Sequence, residues 1–220
     1  MSRPPSQKGT SVLPVVLALK QHPDRKKLVP AHLWKYFDEP VLVSGWYPER
    51  DYFSLLTALV KTIDPDTIGG DVWRYFAKFS TQRDIGGEEV KAAADDKAES
   101  AGVYRSFAAG EKLDPEGFFR RAMRLWSQYH DTGRLEIVGG RKATNAVVMR
   151  LTGFVIPIEG FVRLQGYFLE EYGRLVGIEV LSSVTHSTAS GEPFCQWEHQ
   201  LGRTPETEAY VASLPNFAGR

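Results

Sequence analysis

Residues 185–199, THSTASGEPFCQWEH, gather the one cysteine of the chain, Cys195, and two of its five histidines, His186 and His199, about a Ser-Gly turn. Imidazole and thiolate together suit zinc, and they are also the working pair of cysteine nucleophiles. Spacing weighs against both. If Cys195 to Leu201 is a strand, Cys195, Trp197, His199 and Leu201 share one face. Four residues of strand nevertheless span about 13 Å, too far for Cys195 and His199 to hold one ion. With a two-residue turn at Ser190-Gly191 or Gly191-Glu192, His186 falls opposite Cys195 or Trp197. A His-Cys pair is only half of a zinc set. A cysteine nucleophile also needs an oriented base and an oxyanion hole, and no acid or amide partner stands out. Free cysteine is commonly a packed core residue. The expectation is a buried thiol, with no metal and no catalytic residue.

The elements that must position this hairpin follow from periodicity. In 41–64, Pro48 suits a first helical turn, and Phe53, Leu56, Val60 and Ile63 recur at helical spacing. A second helix lies between the Gly pairs 69–70 and 86–87. The segment 88–102 is charged and Ala-rich, with little to place in a core. The stretch 114–130 carries the clearest helical signal. Asp114 is an N-cap, Pro115 a first-turn residue, and Phe118, Phe119, Ala122, Met123, Trp126 and Tyr129 form a broad face. The following β-branched segments predict a hairpin turning at Gly139-Gly140. A helix then carries Phe161, Leu164, Phe168 and Tyr172 on one side and ends at Gly173. Two alternating strands close the pattern on either side of SGEP. Several helices followed by β-β-α-β-β give an α+β fold, with helices packed on an antiparallel sheet.

Composition narrows the function. The 27 basic and 27 acidic residues cancel, which excludes a general nucleic-acid binder. No run approaches the roughly 20 apolar residues of a membrane-spanning helix. The N-terminal apolar run Val12–Leu19 is broken by Pro14 and lacks a cleavage site. One cysteine suits a reducing compartment. The expectation is a cytoplasmic protein without membrane insertion, with a disordered tail at 1–10, a single α+β domain at 11–202 and a C-terminal tail at 203–220. G-x-S-x-G, Walker-type and dinucleotide-binding glycine motifs are absent from the sequence. Aromatic residues make up 12% of the chain, enough for helices on a sheet to line an apolar pocket.

The helix GFVRLQGYFLEEYG, the preceding hairpin and the strand ending VTHSTASGEPFCQWE resemble the 4-vinyl-reductase-type domain. That domain belongs to a superfamily of ligand-binding domains found in nitric-oxide signalling and Golgi transport. His186, Gly191, Glu192, Pro193, Phe194, Cys195 and Trp197 match its C-terminal signature, while Thr188 and Ala189 stand where an earlier cysteine is expected. GWYPERDYFSLLTAL also resembles an uncharacterised bacterial paralogous family related to it. The likeness spans residues 40–202. It implies a twisted, four-stranded antiparallel sheet covered by helices, and relatives that bind small hydrophobic molecules or act as dimerising adaptors. The haem-binding branch uses Tyr-x-Ser-x-Arg; Tyr104-Arg105-Ser106-Phe107-Ala108 lacks the arginine. No cofactor is expected.

These readings converge on a non-enzymatic sensory or adaptor domain. A small hydrophobic ligand would lie between helices and sheet, lined by Phe161, Phe168, Val184, His186, Cys195 and Trp197, and signal would pass to a protein partner. Two alternatives stand beside it: a ligand-free homodimeric scaffold, and an enzyme using Cys195 and His186.

Overall fold

The computed structural model describes residues 4–86 and 112–219, in two compact units. The Ala-rich segment 88–102 and the Tyr104–Ala108 string lie outside the described residues.

The first unit comprises residues up to Val72 together with Ser127–Thr132. Its framework is helix α1 (Gly9–Gln21), the short helices α2 (Arg25–Leu28) and α3 (Lys35–Asp38), and helix α4 (Glu49–Val60). Val12, Val15, Val16 and Leu19 of α1 are buried, as are Phe53, Leu55, Leu56 and Leu59 of α4. The buried face of α4 is therefore wider than a single stripe, and the helix ends before Ile63. The end of the expected N-terminal tail is strand β1 (Ser6–Lys8), antiparallel to β2 (Trp46–Pro48). Polar composition hid it, because Ser6 and Gln7 are buried in a strand held by backbone pairing. A short helix, α5 (Pro65–Ile68), is capped by Asp64, whose Oδ1 accepts from the Asp66 N–H.

The second unit comprises Trp73–Trp126 and the chain from Gly133 onward. It holds most of helix α6 (Val72–Gly86), most of helix α7 (Pro115–Tyr129), and a four-stranded antiparallel sheet in the order β3-β4-β6-β5. The strands are β3 (Arg134–Arg141), β4 (Ala146–Thr152), β5 (Val180–His186) and β6 (Cys195–Leu201). Helix α8 (Glu159–Val176) connects β4 to β5. The fold is thus α+β, with the expected β-β-α-β-β order. Asp114 caps α7 by accepting from the Gly117 N–H at 2.7 Å, and Phe118 and Phe119 are fully buried.

Two local features differ from expectation for physical reasons. Gly139-Gly140 lies within β3 rather than at the hairpin turn, which falls at 142–145 with Asn145 at φ 52°. The pair admits the C-terminal chain instead: a Cβ on Gly139 would stand 2.6 Å from the Pro215 carbonyl oxygen. Helix α8 runs past Gly173 to Val176 and ends on left-handed Gly177. Gly173 is where the helix meets Val180, whose Cγ2 would lie 2.7 Å from an added Cβ. The C-terminal stretch 203–220, expected as a surface tail with one weakly helical piece, contains helix α9 (Pro205–Ser213), with Thr204 and Thr207 in a capping box.

Candidate functional site

Helix α8 and strand β5 run antiparallel, with Gly173 against Val180 and Gly166 against Ser182. Gly166 permits this approach, since a Cβ there would stand 2.9 Å from Ser182 Cβ. Among the described residues, strand β5 lies at the edge of its sheet, paired with β6. Between helix and edge lies a half-open cleft of about 340 Å³. Glu159, Arg163, Gly166 and Tyr167 form its helix side. Ser182, Ser183, Val184 and Trp197 form its sheet side.

Most polar groups of this wall are engaged. The Trp197 indole donates to the Val162 carbonyl at 2.9 Å, fixing the ring against α8. Glu159 Oε2 accepts from Ser187 Oγ at 2.6 Å and from Ser190 Oγ at 3.4 Å. Next to the cleft, the Glu170 carboxylate accepts from the Ser182 backbone N–H at 2.8 Å and pairs with Arg74 Nη1 at 2.5 Å. Arg74 also stacks over the Tyr167 ring, 4.1 Å from its centroid. Arg163 is exposed.

Ser182 Oγ is 2.9 Å from His199 Nδ1, and it donates to the Gly166 carbonyl at 3.0 Å. A serine hydroxyl has one proton. With that proton on Gly166, the ring donates from Nδ1 to Oγ and has no lone pair there with which to act as a base. Burial drives the His199 pKa down to about 3, so the imidazole is neutral. The pair therefore ties α8 to the sheet, and it lacks the arrangement of an activated nucleophile.

Of the six residues expected to line a pocket, Val184 and Trp197 border the cleft. Phe161 is buried within the unit, and Phe168 stacks on Tyr172 with centroids 6.1 Å apart. Cys195 is fully buried, with Sγ 3.2 Å from Thr188 Oγ1 and 3.4 Å from the Thr188 N–H. Burial raises the pKa of its thiol, against the hydrogen bonds from Thr188.

His186 is not brought together with Cys195 and Trp197. A bulge between Val184 and His186 shifts the register, so that His186 pairs with Gln196 while Val184 pairs with Trp197. His186 therefore lies on the opposite sheet face. Its Nδ1 is 3.4 Å from Gln196 Nε2, and its ring centroid is 4.9 Å from that of Phe194. Arg150 stacks over Phe194 at 4.2 Å and donates twice to Gln196 Oε1. Among the described residues, no group of three or more His, Cys, Asp or Glu side chains is placed to hold a metal ion.

Sequence reasoning passed over Arg163, Tyr167, Glu170 and Ser182. Their signal lies in helical spacing. Glu159, Arg163, Tyr167 and Glu170 recur every three or four residues, a stripe beside the apolar one.

A scan against protein-family models finds no match, and a search of curated proteins finds none. Similar solved structures include a Cs H-NOX mutant carrying 4-cyano-L-phenylalanine, at 12% identity over 90% of this chain and 98% of that one, with a TM-score of 0.48. An H-NOX protein from S. oneidensis in the Fe(II)NO state aligns at 13% identity over 89% and 99%, with a TM-score of 0.44. The phenol-responsive sensory domain of the transcription activator PoxR aligns at 16% over 71% and 78%, with a TM-score of 0.39. These values assign neither a family nor a ligand to this chain.

Proposed function

We propose that this chain is a non-enzymatic ligand-binding domain that takes a small hydrophobic molecule in the α8–β5 cleft and passes its occupancy to a protein partner. The observation that carries the reading is the cleft itself, with Val184 and Trp197 on its sheet wall. Its volume of about 340 Å³ falls at the lower end for small-molecule sites. The likeness of residues 185–199 to the 4-vinyl-reductase-type domain supports the same reading. Two features argue against nucleophilic chemistry: a thiol whose burial disfavours the thiolate, and a Ser182-His199 bond oriented to hold the helix. A ligand here would touch both α8 and the edge strand, so occupancy would change the surface that a partner meets. No helix among the described residues is long and apolar enough to cross a membrane. We place the domain in a reducing, cytoplasmic setting, in keeping with its single free cysteine.

The test is an amide-resolved titration of the full chain with cinnamyl alcohol, alongside native mass spectrometry of the freshly purified protein. Shifts confined to the amides of 163–167 and 182–184, and their loss on Val184→Trp, are expected. If no cleft amide responds and no small molecule co-purifies, the reading is wrong.

A further inference from the structure

We propose that the ligand of this cleft carries a carboxylate, held by the Arg163 guanidinium together with the Val184 backbone N–H. The inference rests on the cleft being a ligand site and names the ligand's chemistry.

Strand and helix geometry supply the argument. In an antiparallel pair, the N–H groups of one strand point alternately toward the partner strand and away from it. The Ser182 N–H points away from β6, because it donates to Glu170 Oε1 at 2.8 Å. Two residues on, the Val184 N–H faces the same open edge, within the cleft. Glu170 shows what such an edge donor takes: its carboxylate is shared between the Ser182 N–H and the Arg74 guanidinium. The antiparallel course of helix and strand repeats that arrangement one step along. Moving from Ser182 to Val184 advances about 7 Å on the strand. Moving from Gly166 back to Arg163 advances about 4.5 Å in the same direction on the helix. An arginine and an edge N–H thus recur beside the cleft, without the carboxylate that Glu170 supplies at the first position.

The charges around the site fit this assignment. Glu170 is paired with Arg74, and Glu159 is turned to the hydroxyls of Ser187 and Ser190. Among the described residues, no hydrogen bond or ion pair engages Arg163. A guanidinium with a neighbouring backbone donor suits the two oxygens of a carboxylate. Val184 and Trp197 then meet the apolar remainder of the molecule.

The test compares trans-cinnamate with cinnamyl alcohol, which share a carbon frame and differ in charge, by calorimetry and amide-resolved titration of the full chain. The acid is expected to bind about tenfold more tightly than the alcohol, equal to about 1.4 kcal/mol, with the Val184 amide among the largest shifts. Arg163→Gln is expected to abolish the preference and Arg163→Lys to retain part of it, with melting temperatures unchanged because Arg163 is exposed. Equal affinities for acid and alcohol at the cleft, or a preference that survives Arg163→Gln, would overturn the carboxylate assignment and leave the cleft as a ligand site. Silence of the cleft amides toward both probes would overturn the two together.

Discussion

The Nδ1 of His130 lies 3.2 Å from Oε1 of Glu49, and both side chains are buried. Burial, reinforced by Asp131, pushes the Glu49 carboxyl from an ordinary 4.5 up to about 8. Burial also drives His130 from 6.5 down to about 3. Near neutral pH these shifts favour the uncharged form of both groups, joined by one hydrogen bond. The partnership fixes the entry of α4, where the Glu49 N–H donates to the Pro5 carbonyl and the Gln7 backbone bridges His130.

This pair predicts the pH profile of the first unit. Between pH 4.5 and 8 the folded Glu49 keeps a proton that the unfolded chain has released, so its contribution falls as pH rises. Between pH 3 and 6.5 the unfolded His130 binds a proton that the folded one refuses, so its contribution falls as pH drops. The two slopes oppose from 4.5 to 6.5, and above 6.5 only the Glu49 decline remains. Glu49→Gln keeps a donor toward His130 and should remove the decline between pH 6.5 and 8. Urea unfolding at pH 6.5, 7.2 and 8 measures it, and an unchanged slope in the variant would refute the assignment.

Cys195 should be inert in the native protein. Its Sγ is enclosed by Thr188, and burial raises its pKa, so reaction requires local opening. Iodoacetamide at pH 7 should modify it on the order of a hundredfold more slowly than free cysteine, with normal rates restored in denaturant. Mass spectrometry follows the label. A rate near that of free cysteine would revive the enzyme alternative.

How much of this was legible beforehand depended on periodicity. Alternation at 180–186 and 195–201 revealed two strands, and with them the placement of Val184 and Trp197 beside the cleft. The same counting misplaced His186, because a bulge changes strand parity without a mark in composition. Gly139-Gly140 read as a turn, since close approach by the chain at Pro215 is a tertiary fact that no local pattern records. Ser6–Lys8 looked like tail because its burial depends on pairing with Trp46–Pro48. Arg163 and Glu170 acquire meaning only once α8 is known to lie along the edge of β5.

Gly166 tests the helix–strand approach directly. Alanine is favoured over glycine inside a helix by roughly 0.8–1 kcal/mol. Here its methyl would meet Ser182 Cβ at 2.9 Å, and overpacking of this kind costs about 1–3 kcal/mol. The steric term is larger, so Gly166→Ala should destabilise the protein by about 1 kcal/mol. It should also weaken cinnamyl alcohol binding by displacing α8. A stabilised variant would show that the approach is looser than the geometry states.

Glu170 protects the edge that the cleft leaves open. Its carboxylate satisfies the Ser182 N–H and pairs with Arg74, whose side chain is 49% exposed. Glu170→Ala removes the acceptor shared by both groups, but Arg74 keeps its stacking on Tyr167 and can reach water, and the Ser182 N–H borders a half-open cleft. The loss should therefore sit at the low end for a charge-assisted bond, about 1.5 kcal/mol. Glu170→Gln retains an acceptor for Ser182 and should lose less. The second consequence concerns association. An uncapped donor on an exposed strand is a template for pairing with another chain, so Glu170→Ala should self-associate more than wild type, and Glu170→Gln should not. Denaturant midpoints and sedimentation velocity measure the two effects. Equal midpoints for Glu170→Ala and wild type, with unchanged sedimentation, would mean that the carboxylate neither stabilises nor guards the edge.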